Sequence, residues 1–492
     1  MLRRNNLIDG MLLLLAVAPI LLVSPVPLHD LPNHIARQHI ILNLQHDPLL
    51  REFYTVSWAL VPNLGLEMFN LLLGPLLGVA ALAQCFCVLV LGTIFIGTRS
   101  INRQLGGPNA FAYRLAPLFS YCGPFQFGFL SFCLGIGASL LAFSLYLRLR
   151  DSRGLARTPC LAAAGTLVLL IHVAPFLIFA LAVSGFQLSV SARQYREEGW
   201  LPWLWGLFVA QARLLLFITP PIILLLLAQS DSGGPGGTLR WASVIDKLAA
   251  LAAMTMYALP WVEIPMLVLA FVGAVVAFRQ GWVRLAPCGG SVLFLLLLAF
   301  VITPRGGLGG AMVDYRFPSA AIFFVLGFII PGSTGVSETR TLQCWFGGLI
   351  VARVASIAVL WLGWQPILAE FDTAFARLPL GARLEVIIGT RASVLEERSP
   401  PLQHVAARAV ILRQAFEPDI FADLTGHVLH LTSQYRPFRR GRLRNRLDSI
   451  DPVYSHLLVI YPDTAWIAPD LRLTTLFTGR SFILSEVARP PP

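Results

Sequence analysis

A carboxylate, two imidazoles, an amide and a guanidinium crowd the segment Pro27-Leu28-His29-Asp30-Leu31-Pro32-Asn33-His34-Ile35-Ala36-Arg37, which directly follows the first membrane-length apolar stretch. Polar groups at a bilayer exit are costly to desolvate and mark candidate functional positions. Asp30 could act as a general base or as a metal ligand, with His29 and His34 orienting it or sharing the metal, and with Asn33 and Arg37 in support. The competing reading is structural. Pro32 suits the first turn of a helix, and Asp30 would then cap it by accepting backbone N–H groups. Asp30, His34 and Arg37 recur at helical spacing, and Ile35, Ile41, Leu42 and Leu44 form an apolar face suited to lipid.

A second group lies far along the chain: Arg305, then Asp314-Tyr315-Arg316-Phe317-Pro318, separated by the Gly306-to-Gly310 loop. A guanidinium fork binds phosphate bidentately, so Arg305 and Arg316 are candidate ligands for a lipid phosphate. Equally, Arg316 could snorkel to headgroups and pair with Asp314. The glycine loop lacks the GK[ST] of a nucleotide-binding P-loop. His172, before Pro175, either faces a polar cavity or is a hydrogen-bonded core residue. The six arginines between Arg436 and Arg446 either hold an anionic polymer or membrane surface, or form a solvated loop.

The elements that must carry these groups follow from composition. The chain has 492 residues, 56% hydrophobic and only 13% charged, a surface far too apolar for a soluble protein of this size. Runs of about 20 apolar residues mark a polytopic α-helical membrane protein. Its formal net charge of +11 points to cytoplasmic loops and anionic lipid, with no nucleic acid partner. The seven cysteines all fall in or beside apolar segments, so no disulfide framework is indicated. Spans are expected near 9–27, 65–97, 108–122, 126–147, 159–188, 203–228, 257–279, 285–303, 315–331 and 345–364. The first is followed by Pro and charge where a signal peptide would carry a small-x-small site, so it is expected to stay.

Loop arginines orient the spans. Arg99, Arg103, Arg148 to Arg153, Arg193 to Arg196 and Arg279 to Arg284 all fall inside if 65–97 is one helix and 159–188 is broken near His172. That gives about eleven transmembrane segments and puts the first loop, residues 28–64, and the C-terminus outside. The Ser230-to-Pro235 loop comes out on the same side. Residues 1–364 form the membrane domain. From 365 to 492 charge rises and short apolar stretches at Leu384–Ile388, Leu457–Tyr461 and Phe482–Leu484 read as strands of a soluble α/β domain on the outer side, closed by a hairpin over Thr474–Val487. No regular arginine ladder and no mid-span acidic pair occurs; Glu67 and Glu263 lie near span ends. This argues against a pore or proton-driven carrier.

A basic N-terminus, one span, an outer loop with an acidic residue and an interfacial helix, many further spans and an outer soluble domain together resemble the GT-C superfamily of polyprenyl-phosphate-sugar-dependent glycosyltransferases. That superfamily includes the protein O-mannosyltransferases and aminoarabinose transferases. The Trp58-to-Gly97 segment, with Pro62-Asn63-Leu64-Gly65, is similar to the second and third membrane segments of that group, which often form a hairpin. The resemblance implies a multi-pass membrane glycosyltransferase moving a sugar from a polyprenyl-phosphate donor to an outer-face acceptor; the compact loops read as bacterial, so the inner membrane is expected. By that analogy Asp30 is the general base or the ligand of a divalent metal ion, and Arg316 with Arg305 holds the donor phosphate. Many members carry an acidic pair in this loop, whereas Asp30 is followed by Leu31-Pro32-Asn33-His34, so metal dependence stays open. So do two other roles: a non-enzymatic component of envelope polysaccharide assembly, and a lipid-linked-saccharide transporter.

Overall fold

The computed structural model describes residues 2–59, 62–152, 156–230, 239–255, 259–307, 312–332, 336–389, 401–424, 427–439 and 445–488. The chain opens with α1 (Leu2–Leu21), α2 (Leu31–Asn43), α3 (Pro48–Phe53), β1 (Tyr54–Val56) and α4 (Gly65–Gly106). Two short helices, α5 (Ala116–Ser120) and α6 (Gly123–Phe127), lead into α7 (Leu130–Leu149), α8 (Arg157–Ile171), α9 (Val173–Glu198), α10 (Trp200–Ser230) and α11 (Val244–Ala252). Then follow α12 (Pro260–Arg279), β2 (Val283–Leu285), α13 (Gly289–Ile302), α14 (Arg316–Phe328), β3 (Ile329–Pro331) and α15 (Val336–Phe375).

Six of these helices, α4, α7, α9, α10, α12 and α15, are long and apolar enough to cross a membrane, and α1, α8, α13 and α14 are shorter apolar helices. A helix satisfies its own backbone hydrogen bonds, which a lipid surround demands. Leu72, Leu76, Trp205, Phe208, Phe271 and Phe294 are exposed on these helices, a lipid-facing surface. The protein is a multi-pass membrane protein.

Two ends of the helical layer are distinct. At the basic end, Asp9 is buried among Arg99, Arg103 and Arg114, accepts from Arg114 Nε and Arg99 Nε at 2.9 Å, and takes a Tyr113 hydroxyl bond. Arg148 reaches Ser100 there. At the far end lie Asp30 and the C-terminal region.

Three span expectations meet the structure differently. The 159–188 run is indeed broken at His172, whose φ of −172° and ψ of 140° separate α8 from α9. The 65–97 run is not the single helix expected: Gly78, with φ of +69° and ψ of 163°, is not helical and parts α4 into two limbs, the second continuing to Gly106. Asn70 and Glu67 of the first limb bond to Gln38 of α2, so this limb lies along the first loop. The 108–122 run is no single helix: a 3-10 turn gives way to α5 at Pro117, and Gly123-Pro124 start α6 just beyond it. It still leads from Arg114 at the basic end to Phe127 beside Asp30. Helices α4 and α7 cross closely at two glycines. A Cβ on Gly97 would sit 2.7 Å from Leu140 Cβ, and one on Gly137 would meet Thr93.

The C-terminal region carries β4 (Leu384–Ile388), α16 (Arg408–Arg413), β5 (Leu429–Leu431), β6 (Arg446–Leu447), β7 (His456–Ile460), β8 (Trp466–Ile467), β9 (Leu473–Thr478) and β10 (Phe482–Val487). A four-stranded mixed sheet has order β4-β7-β10-β9, with β4 parallel to β7 and Leu384 opposite His456. The expected closing hairpin is the antiparallel β9–β10 pair. Leu368, Phe371 and Phe375 at the end of α15 pack into this sheet's core, tying it to the membrane helices.

A separate core joins the first loop to the C-terminal region: Ala36, Ile40, Leu50, Phe53 and Tyr54 pack with Val410, Phe416, Leu431 and Tyr435. Buried side chains of this size contribute roughly 1.5–3 kcal/mol each. Strand β1 pairs antiparallel with β5, Tyr54 opposite Leu431. Ile35, on the other side of α2, packs into the core of the helical layer with Ala83 and Phe86 and is not laid on lipid. Of the arginine-rich run, Arg436, Arg439 and Arg446 are described, and Arg446 stacks on Trp466 and pairs with Asp448; positions 440–444 lie outside the described residues, as do the 231–238 loop and positions 308–311.

Candidate active site

Asp30 is held by its backbone before its side chain does anything. The His29 N–H donates to Gln126 C=O at 3.1 Å, and the Asp30 N–H donates to Phe127 C=O at 3.0 Å. Residues 29–30 thus lie alongside the end of α6. Gly128 closes α6 with φ of +89°, and a Cβ there would come 3.0 Å from the Asp30 nitrogen. This position needs glycine both for its left-handed conformation and for the close approach of the loop.

Helix α2 then starts at Leu31 with Pro32 in its first turn, and the His34 N–H donates to Asp30 C=O. The Asp30 side chain makes no capping hydrogen bond. Its carboxylate instead faces two imidazoles: His404 Nε2 at 3.5 Å and His29 Nε2 at 3.7 Å from the same oxygen. Asp30 is only 9% exposed, and burial raises its carboxyl to about 8. A carboxyl titrating there is a far stronger base than an ordinary aspartate.

His404 was not singled out in the sequence. It sits after a proline pair, more than 370 positions from Asp30, and no local spacing links the two. Burial, with the His29 charge beside it, pushes its imidazole down to about 3, so it is neutral at any working pH.

Asn33 locks this arrangement. Its Oδ1 accepts from the Phe421 N–H at 2.7 Å and its Nδ2 donates to Asp419 C=O at 3.0 Å, which fixes the amide orientation. The second Nδ2 hydrogen points at His404 Nδ1, 3.2 Å away. That nitrogen must be the acceptor, so the ring hydrogen is on Nε2, facing Asp30.

Of the other expected partners, His34 does not join Asp30 through its side chain. Its ring packs edge-on against Phe421, and burial with Arg37 nearby lowers its pKa well below the ordinary value. Arg37 is 1% exposed and bound to Glu67 and to His427, away from Asp30; it anchors α2 to α4 and to the C-terminal region. His29, Asp30 and His404 each offer a ligand atom within 4.8 Å of the others, the spacing of a metal site. The chemistry does not fit as arranged, because the Nε2 of His404 that faces the trio carries hydrogen and has no lone pair to give.

The two arginines of the second group part company. Arg305 is bound to Asp246, which also forms the capping box of α11 with Ser243, and it stacks on Tyr315. Asp314 pairs with Lys247 at 3.6 Å and not with Arg316. Arg316 has no carboxylate within ion-pair distance among the described residues. It lies over the rings of Phe129 and Phe132, 5.8 and 5.7 Å from their centroids, and its Nε has no acceptor.

Its Nη1 is 3.3 Å from His172 Nε2, yet His172 Nδ1 already accepts the Ala174 N–H at 3.1 Å. A neutral imidazole has one acceptor nitrogen, so His172 presents hydrogen to Arg316 and leaves the guanidinium without an anion. Rings connect the two groups: His29 meets Phe127 edge-on, Phe127 stacks on Phe129, and Arg316 covers Phe129.

No protein-family model and no curated protein matches the chain. Solved structures do. ArnT from Cupriavidus metallidurans bound to undecaprenyl phosphate aligns over 97% of this chain and 96% of that one, at 12% identity and a TM-score of 0.50. Its apo state aligns over 98% and 97% with the same identity and TM-score. Arabinofuranosyltransferase AftD from Mycobacteria aligns at 15% identity and a TM-score of 0.46, over 98% of this chain and 40% of that chain. The likeness to ArnT is one of fold, and it runs along nearly the whole length of the chain.

Proposed function

We propose that this protein is a membrane glycosyltransferase that moves a sugar from a polyprenyl-phosphate donor to an acceptor at the far end of the helical layer. The observation that carries it is a buried, high-pKa carboxylate joined by one run of aromatic rings to a guanidinium that meets no carboxylate among the described residues. The shared fold with ArnT, a protein crystallised with undecaprenyl phosphate, supports the same reading.

In this reading Asp30 takes the proton of the acceptor hydroxyl as that oxygen bonds to the sugar's anomeric carbon. The bond from that carbon to the donor phosphate oxygen breaks, its electron pair leaving with the polyprenyl phosphate. Arg316 stabilises the charge that grows on the phosphate. Arg305, engaged by Asp246, contributes less.

In this reading the basic end faces the cytoplasm, which the positive-inside bias of loop arginines supports. With the passage through 112–127 taken as a crossing, this reading has about eleven, with residues 1–364 in the membrane and 365–492 forming a periplasmic domain of a bacterial inner-membrane protein.

The test uses full-length protein in nanodiscs with undecaprenyl phosphate as probe. Loss of a charged hydrogen bond of about 1.5–3 kcal/mol weakens binding roughly 10- to 100-fold in Arg316→Gln. Arg305→Gln changes it less than about 3-fold. Equal binding by wild type and Arg316→Gln contradicts the assignment. A companion assay with undecaprenyl-phosphate-linked sugars requires Asp30→Asn to abolish transfer; full transfer by that variant removes the base.

A further inference from the structure

Among the described residues of the C-terminal region, His404 is the one whose side chain meets the Asp30 carboxylate, and the geometry around it assigns that residue a task. We infer that His404, held as its Nε2–H tautomer by Asn33, is the positioning residue that orients the Asp30 carboxylate. The inference rests on the transferase reading for its catalytic meaning but on hydrogen-bond geometry alone for its structural content.

At the backbone, Phe421 N–H and Asp419 C=O are an unambiguous donor and acceptor, so they leave the Asn33 amide one orientation. That orientation aims an N–H at His404 Nδ1, which rules out a proton on Nδ1 and hence the imidazolium as well. The only ring hydrogen left faces Asp30 Oδ1 across 3.5 Å. This is long for a hydrogen bond, as catalytic contacts commonly are before substrate binds.

Phe421 and His29 then fix the ring plane, lying edge-on to His404 with centroids 5.2 and 5.4 Å away. The result is a relay from the main chain of the C-terminal region, through Asn33 of α2, to the base. A carboxylate with one oxygen held by His404 presents the other to an acceptor hydroxyl. The Asn33 in the first loop is thereby explained: its amide sets the tautomer, which a carboxylate at the same place would reverse. The site is incomplete without the C-terminal region.

Two experiments decide this on the full-length protein. The first needs no substrate. With ring-¹⁵N-labelled histidine in nanodiscs, the His404 signals are identified by their loss in His404→Gln. The nitrogen that couples to both ring C–H protons, Nε2, should be the protonated one, and Zn²⁺ added alone should not shift the pair. In Asn33→Asp the protonated nitrogen should become Nδ1. A proton on Nδ1 in the wild type, or a joint shift of His29 and His404 signals with Zn²⁺, overturns the inference and restores a metal site.

The second reads transfer. Gln places an amide N–H where Nε2 stood, and Asn does not. His404→Gln should keep kcat within about 3-fold, while His404→Asn loses on the order of 100-fold in kcat, with KM unchanged, as a misplaced base does. Equal activity of both variants and wild type overturns the positioning role. Absence of transfer from every lipid-linked sugar in the wild type would remove the transferase reading while the tautomer result stands by itself.

Discussion

Asp30→Asn should stabilise this protein, and increasingly so as pH rises. The wild-type carboxyl titrates at about 8 in the folded state because burial removes its hydration, against 3.8 when exposed. At about 1.4 kcal/mol per tenfold shift, ionising it in the folded protein costs on the order of 5 kcal/mol. The sign follows from proton linkage. Below pH 3.8 both folded and unfolded chains are protonated, and the variant gains nothing. Between 3.8 and about 8 the unfolded chain releases its proton and the folded one keeps it, so wild-type stability falls with pH relative to the variant. Above about 8 the difference levels off.

The assay is unfolding in detergent from about pH 5 to 9, bracketing the folded-state titration, with both proteins carrying His29→Gln so that this facing imidazole does not titrate. His404 and His34, the other nearby imidazoles, are held neutral through the window. A difference that stays flat with pH, or a variant that becomes less stable as pH rises, refutes the buried-base assignment, since either means that the carboxylate is favourably held once ionised. The same property predicts that wild-type kcat/KM climbs with pH toward a half-maximum near 8.

Other consequences are local. Gly128→Ala forces a side chain into the left-handed region, at about 1–2 kcal/mol, and against the Asp30 nitrogen; transfer should fall more than stability, and an unchanged rate would mean that α6 does not position the base. Arg37→Ala strips a buried partner from Glu67 and should lower unfolding free energy by roughly 3–5 kcal/mol, checked by denaturant titration; a loss under about 1 kcal/mol, the range of hydrated pairs, would show that this pair is hydrated. Gly137→Leu cannot fit against Thr93, and its melting temperature should drop sharply, whereas wild-type stability would disprove the close α4–α7 crossing.

The sequence carried the fold well wherever one physical signal dominated. Apolar length marked the membrane helices, His172 with Pro175 marked the break between α8 and α9, and Gly479-Arg480 marked the β9–β10 hairpin. It failed where long-range contact decides. Residues 108–122 are apolar enough for a span, yet Pro117 within them and Gly123-Pro124 just after them divide this part of the chain into short turns. Strands β1 and β5 are three residues each, too short for a pattern. The Asp30 loop was visible as a polar cluster, but His34, one helical turn away, drew the role that belongs to His404. Helical spacing finds neighbours on one helix; it is blind to a residue delivered from another core. Likewise Asp314 looked like the partner of Arg316 by proximity in sequence, while the fold gives it to Lys247.

The most direct test of the whole account is a structure of the protein in a nanodisc with undecaprenyl phosphate bound. The account predicts the phosphate on the Arg316 guanidinium, with the Asp30 carboxylate lining the same cavity. A phosphate seated elsewhere contradicts it, whether on Arg305 or in the cavity of about 290 Å³ lined by Pro25, Ile35, Val79 and Arg408. So would a site in which Asp30 and Arg316 open onto different surfaces.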